Sequence, residues 1–266
     1  MTAPFTPVAR LRSIRPSENL QVLLGVGVLL VLLPVLFRME ARRFEPFTQF
    51  WAWRFLAFGL FETILVALLA IVLSLPLATG LALARLSPSA TFRLPAMLLV
   101  EGIRALPVLL FIWLIFLTLF RLGTNLDPRW PVVIALGLYT TAINAETIRA
   151  GVLSLERGQM EAARALGLTY LQAMRFVILP QTFRRVLPPL IAQFVTLVKD
   201  TSLGYIVGLG ELTRQAGIIY QGERNPLETL FVVAVIYFVL NYLLGQLAVW
   251  LEARLSGQQV SVGLGQ

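Results

Sequence analysis

The chain is built around a series of apolar runs, each about as long as a bilayer is thick, with polar stretches between them too short to house a soluble catalytic domain. The first covers residues 20–37. At about 1.5 Å of rise per residue a helix of this length reaches about 27 Å, close to the roughly 30 Å of a hydrocarbon core. It is longer than the apolar region of a signal peptide, and the Leu36-Phe37-Arg38-Met39 sequence has no small-residue cleavage site, so a retained helix is expected. Further spans are expected at residues 59–84, 105–120, 131–148, 186–198 (extended upstream by 176–179) and 229–250. The expected fold class is therefore an all-α membrane protein with about six transmembrane helices and both termini on one side.

Composition excludes several alternatives. Charged residues make up 14% of the chain and hydrophobic ones 58%, against about 25% charged in a typical soluble domain. Histidine and cysteine are both absent. Imidazole bases, thiol nucleophiles, disulfides and the usual zinc or haem ligands are thereby removed, and the carboxylates form no evident catalytic cluster. No catalytic residue, no metal site and no enzyme activity are expected. The net charge of +8 comes from arginines scattered at the ends of apolar runs, the pattern of bilayer-edge anchors and cytoplasmic loops rather than of a nucleic-acid stripe. The single lysine, Lys199, lies in TLVKDTSL and not in a GxxxxGK[ST] loop. No cofactor is expected in this chain, and any ATP and Mg must be held by a partner.

Several polar residues interrupt the spans. Residues 38–58 read as an aromatic connection whose Trp51 and Trp53 suit the headgroup interface. Glu62 falls near the start of the second span, where an interfacial carboxylate is the simplest reading, and Pro76 is expected to kink that helix. Glu101, Arg104 and Pro107 argue for a broken or interfacial helix over residues 94–104, with Glu101 and Arg104 spaced to pair on one face. The Gly-rich stretch 199–228 reads as a partly embedded or re-entrant loop. Placing the termini and the 85–104 and 149–185 segments in the cytoplasm puts 13 basic residues there against 9 on the other side, a modest bias in the expected direction.

The polar segment after the fourth span stands apart. RGQMEAARAL, residues 157–166, is rich in helix formers, with Arg157 to Glu161 and Glu161 to Arg164 spaced for ion pairs. Met160, Ala163 and Leu166 would form an apolar stripe, and Gly167 is placed to end the helix. The small Ala162–Ala163 pair would let another protein's groove close on it. From these residues alone, a docking helix and an amphipathic helix lying on the membrane surface remain equally open.

Residues 161–180 resemble the EAA motif of bacterial ABC importer permeases, which reads EAA, three residues, Gly, nine residues, Ile, one residue, Leu-Pro. The sequence supplies Glu161, Ala162, Ala163, Gly167, Leu179 and Pro180, with Val177 in the Ile position. The blocks VEGIRALPVLLFIWL, NAETIRAGVLSLERGQMEAARALGLT and LVKDTSLGYIVGLGELTR are similar to polar amino-acid permeases of the histidine, glutamine and glutamate type, with the KDTSL block nearest the glutamate/aspartate branch. The resemblance implies a MetI-like permease fold, with a cytoplasmic segment at 1–19, an additional N-terminal helix and connection at 20–58, a five-helix core at 59–253 and a tail at 254–266. It also implies a coupling helix at about 156–167 that docks an ATPase through Glu161, Ala162, Ala163 and Gly167. The implied partners are an ATP-binding subunit, a second identical or homologous permease and an extracytoplasmic amino-acid-binding protein, in a bacterial inner membrane with both termini cytoplasmic.

A zwitterionic substrate needs polar partners at membrane depth, and these normally face a cavity. The candidates are Glu62, Arg104, Asn144, Glu146, Thr196, Lys199 and Asp200. Simpler readings are an interfacial anchor for Arg104 and a local surface pair for Lys199 and Asp200. The alternative function is a stand-alone, ion-coupled secondary transporter or channel, which would leave the 157–166 helix without a purpose.

Overall fold

The structure, a computed structural model, describes residues 27–28, 32 and 34–255. It is helical throughout, with no strand among the described residues. A membrane imposes this, because backbone amides in hydrocarbon must find their partners within their own segment. The expected 20–37 helix lies for the most part outside the described residues.

A 3-10 segment, Ala41–Thr48, leads into α1, Phe50–Leu86. This replaces the expected connection at 38–58. No Gly or Pro interrupts the chain between Phe50 and Phe58, so the helix extends outward past the apolar limit of the span. Trp53 Nε1 donates to the Phe47 carbonyl at 2.7 Å and fastens the turn to the helix. Pro76 sits inside α1 without ending it; Ser87, placed before Pro88, does end it, since that position disfavours helical backbone.

Helices α2, Ala90–Ala105, and α3, Val108–Arg121, form a pair bent by 108° at Leu106–Pro107, as Pro107 led one to expect. Helix α4, Arg129–Leu153, runs parallel to α1. The register is fixed at three depths by Glu62 with Arg129, Ser74 with Asn144, and Arg85 with Glu146. Between them lie Val66, Ala67, Ala70, Val132, Val133 and Leu136, all buried. The small residues let the two backbones approach closely, the usual route to helix association in lipid. A Cβ on Gly137 would fall 2.7 Å from Leu73 Cδ2.

After the short helix α5, Arg157–Ala165, come α6, Tyr170–Ala173, a π-helical turn, Met174–Ile178, and α7, Leu179–Asp200. The π turn lies immediately ahead of Pro180, whose missing N–H removes one helical hydrogen bond. Residues 199–228 form helix rather than the expected loop. A 3-10 segment, Thr201–Val207, turns at Gly208, φ +91°, into α8, Leu212–Glu223. Only Gly208 in this stretch takes a left-handed backbone among its glycines, and Glu211 caps the new helix. The Leu212 N–H donates to Thr63 Oγ1 at 3.2 Å, which folds α8 onto α1.

Helix α9, Pro226–Leu255, is the last element among the described residues and outruns its expected ends on both sides. Asn225 Nδ2 donates to the Arg43 carbonyl at 2.8 Å and anchors its start. Among the described residues four helical stretches are long and apolar enough to cross a membrane, five when the bent α2–α3 pair counts as one span. Only 6% of the apolar window of α9 is buried within the chain.

Candidate functional site

Helix α5 spans the residues expected for it and ends in a complete Schellman motif. Gly167, at φ +82°, sends its N–H to the Arg164 carbonyl at 2.9 Å, and the Leu168 N–H reaches the Ala163 carbonyl at 3.2 Å. Thr169 and Gln172 then form a reciprocal capping box that starts α6. The helix has two unlike faces. Ala163 is buried and Met160 packs toward a cluster of Leu155, Met174 and Ile178. Glu161, Ala162 and Gly167 are exposed, and so is Leu166, at 84%. The expected Met160–Ala163–Leu166 stripe is therefore split: the chain turns outward at the C-cap, and Leu166 leaves the face of the other two.

Glu161 and Arg164 form no ion pair. The Arg164 guanidinium instead stands 6.0 Å above the Tyr170 ring. Arg185 donates to the Ser154 carbonyl at 2.7 Å, Gln181 to Gln159 Oε1 at 3.3 Å, and Tyr170 to the Leu86 carbonyl at 3.5 Å. The Gln159–Gln181 bond joins α5 to α7, while the other two tie α7 to the end of α4 and α6 to α1, leaving Glu161, Ala162 and Leu166 on the outer side.

The polar candidates fall into separate groups. Glu62, expected at the interface, has a side chain only 5% exposed and is clamped by Arg129 in two hydrogen bonds of 2.6 and 2.9 Å. At the opposite end of α1, Arg85 bridges Glu146 at 2.9 Å and Glu101 at 3.2 Å. Glu146 is also held by Arg149, and Glu101 lies 3.9 Å from Arg104. Arg104 and Glu146 thus belong to one ion network joining α1, α2 and α4 near α5. Asn144 is fully buried between α1 and α4, with Nδ2 on Ser74 Oγ at 3.2 Å and its Oδ1 without a hydrogen-bond partner.

Thr196, Lys199 and Asp200 lie together on the last turns of α7. Thr196 Oγ1 donates to the Ala192 carbonyl at 3.2 Å. Lys199 is exposed and forms no ion pair among the described residues, so the expected local pair with Asp200 does not close. Lys199 borders a cleft of about 550 Å³ between α7 and α9, shared with Ser202, Tyr237, Phe238, Asn241 and Tyr242. None of these α9 residues was expected at a site, because an isolated Tyr or Asn in an apolar run reads as an ordinary span residue. Their i, i+4 spacing, Tyr237 to Asn241 and Phe238 to Tyr242, was the available signal.

Behind the cleft, Glu211 is completely buried. It accepts from the backbone N–H of Thr213 at 2.8 Å and Arg214 at 2.7 Å, and from Tyr237 Oη at 3.2 Å. Burial pushes its pKa above the ordinary carboxylate value, partly opposed by those hydrogen bonds. Among the described residues no three Asp or Glu side chains gather as metal ligands.

A family model described as binding-protein-dependent transport system inner membrane component matches residues 74–257. The probable glutamine ABC transporter permease protein GlnP of Bacillus subtilis (strain 168) is 36% identical over 203 residues, 75% of this chain and 93% of that protein. The crystal structure of an amino acid ABC transporter with histidines superposes with a TM-score of 0.70 at 34% identity, covering 76% of this chain and 94% of that one. The fold, without further implication, is also that of the MetNI methionine ABC transporter in an inward-facing form, at a TM-score of 0.64 and 23% identity over 76% of this chain and 96% of that one.

Proposed function

The chain belongs to the inner-membrane components of binding-protein-dependent transport systems, and on that premise we propose that it is the permease subunit of an ATP-driven amino-acid importer, coupled to its ATPase through α5. The observation that carries the coupling is the two-faced helix. Its inner face is spent on the body of the permease, while Glu161, Ala162, Leu166 and Gly167 are left outward in a small, weakly charged surface. A stand-alone ion-coupled transporter would leave this surface without an occupant.

In this reading the α5 end is cytoplasmic and the Glu62 end faces the extracytoplasmic binding protein, in a bacterial inner membrane with both termini cytoplasmic. ATP and Mg are held by the ATP-binding subunit; this chain performs no covalent chemistry. A second permease, identical or homologous, completes the path, and the uncovered flank of α9 supplies surface for such packing or for lipid. Closure of the ATPases pushes α5, and because Gln159 bonds α5 to Gln181 of α7 the push reaches the spans as a rigid-body rocking between inward-open and outward-open arrangements. ATP biases this equilibrium by binding one arrangement better than the other.

The test is affinity capture of the full chain from detergent-solubilised membranes, wild type beside Glu161→Lys. The wild type should recover a P-loop ATPase, and the charge reversal should lose it while still inserting in the membrane. Capture of the wild-type chain alone across several detergents would refute the reading.

A further inference from the structure

We propose that the groove between α1, α7 and α9 binds an anionic phospholipid from the leaflet on the α5 side, with one acyl chain in the groove and the phosphate on Arg184. The inference goes beyond the importer reading and requires only that these helices cross a bilayer.

The groove has a volume of about 290 Å³ and runs along Leu68 to Leu75 of α1, Leu187 to Phe194 of α7 and Leu244 to Leu251 of α9. Each helix contributes about two turns, or about 10 Å of length along the span. Every side chain that lines it is apolar. Water would find no hydrogen-bond partner there, and a charged or zwitterionic solute would lose its hydration without compensation. Hydrocarbon fills the groove at neither cost. Asn225, ahead of α9, is bonded to the Arg43 carbonyl near the start of α1, so the far end of α9, with Leu251, lies toward α5. The groove therefore extends to the membrane edge on that side. Trp250, beside Leu251, is half exposed, and its amphipathic ring suits headgroup depth.

Charge identifies the lipid. Arg184 precedes Leu187 by three residues and Ile191 by seven, which places it on their side of α7 and one turn nearer α5. It is exposed and forms no ion pair among the described residues. Arg185 is bonded to the neutral Ser154, and α7 has no carboxylate before Asp200. Pro188 and Pro189 have no N–H, so the Arg184 and Arg185 carbonyls lose their usual helical donors. The mouth of the groove thus offers cations to a phosphate and carbonyl acceptors to headgroup hydroxyls. Phosphatidylglycerol supplies the acyl chain, the phosphate and the hydroxyls together.

The test is native mass spectrometry of the complete importer, delipidated and then titrated with phosphatidylglycerol or with neutral phosphatidylcholine. Wild type is compared with Arg184→Gln, Ala248→Trp and Arg93→Gln. Arg93, an exposed arginine of α2 that does not border the groove, controls for the general attraction of basic residues to anionic lipid. Wild type should bind phosphatidylglycerol about fivefold more tightly than phosphatidylcholine, and Arg184→Gln should abolish that preference, the contribution of one arginine near a membrane surface. Ala248→Trp, which fills the groove, should weaken both lipids, and Arg93→Gln neither; Ala248→Leu is the smaller filler if tryptophan prevents assembly. The proposal is overturned if wild type shows no preference, if Arg93→Gln loses as much as Arg184→Gln, or if a filled groove binds lipid as before. It is also overturned if the assembled wild type takes up no lipid while Ala248→Trp separates two permease chains on size exclusion, which would make the groove a contact between permeases.

Discussion

Removing Arg129 should expose how much of the fold depends on a single buried carboxylate. Glu62 is 5% exposed at its side chain and has both oxygens on the Arg129 guanidinium, at 2.6 and 2.9 Å. Truncating one partner of a buried pair typically costs about 3–5 kcal/mol, because the other charge is left without compensation. Arg129, however, is 32% exposed, so water screens part of the interaction, and about 2–3 kcal/mol is the better expectation for Arg129→Ala. At about 2–4 °C per kcal/mol for a chain of this size, Tm in detergent should fall by about 4–12 °C. The double variant Glu62→Gln/Arg129→Ala removes the orphaned charge as well and should recover at least half of that loss. Thermal unfolding followed by size-exclusion chromatography measures all of these. A single variant within 1 °C of wild type, or a double variant no better than the single, would refute the reasoning.

Two further perturbations address the turn after α5 and the buried acid behind the cleft. Gly167→Val places a β-branched residue at φ +82° and should cost about 1–2 kcal/mol, lowering both Tm and ATPase recovery, while Gly167→Asn should be better tolerated; equal behaviour of the two would contradict the Schellman assignment. Glu211 has a folded-state pKa raised by burial above its ordinary 4.5, so the fold binds the proton more tightly than the unfolded chain does. That contribution is complete below the ordinary value and is lost as pH rises through the raised one. The Tm of wild type relative to Glu211→Gln should therefore decline from acid toward neutral pH, and a difference that stays flat across that window would rule the idea out.

The sequence carried much of this architecture wherever a single residue punctuates the backbone. Pro107 marked the break between α2 and α3, and Gly167 marked the end of α5, because missing donors and left-handed backbone are local properties. Span ends were less legible. Hydropathy falls at the first polar or aromatic residues, but α1 starts at Phe50 and α9 continues to Leu255 because hydrogen bonding, not apolarity, terminates a helix. The 199–228 stretch misled for the opposite reason: its glycines suggested a loop, yet apart from Gly208 they lie in right-handed or extended backbone.

The polar contacts divide in the same way. Glu101 with Arg104 is a short-range spacing and was visible. The Glu62–Arg129 and Arg85–Glu146 pairs join residues on different helices, and nothing in the local sequence names the partner. The α7–α9 cleft was half seen: Lys199 was conspicuous as the only lysine, but Tyr237 and Asn241 come from a helix that follows α7 only after a further turn and α8.

The measurement closest to the central claim exploits the absence of cysteine. Single-cysteine variants Ala162→Cys and Ala163→Cys are prepared in the complete complex and treated with a short thiol-to-amine cross-linker. Ala162 faces outward and Ala163 is 3% exposed, so Ala162→Cys should join this chain covalently to the ATPase and Ala163→Cys should not. The opposite pattern, or no cross-link from Ala162→Cys in a complex that still hydrolyses ATP, would contradict docking through the outer face of α5.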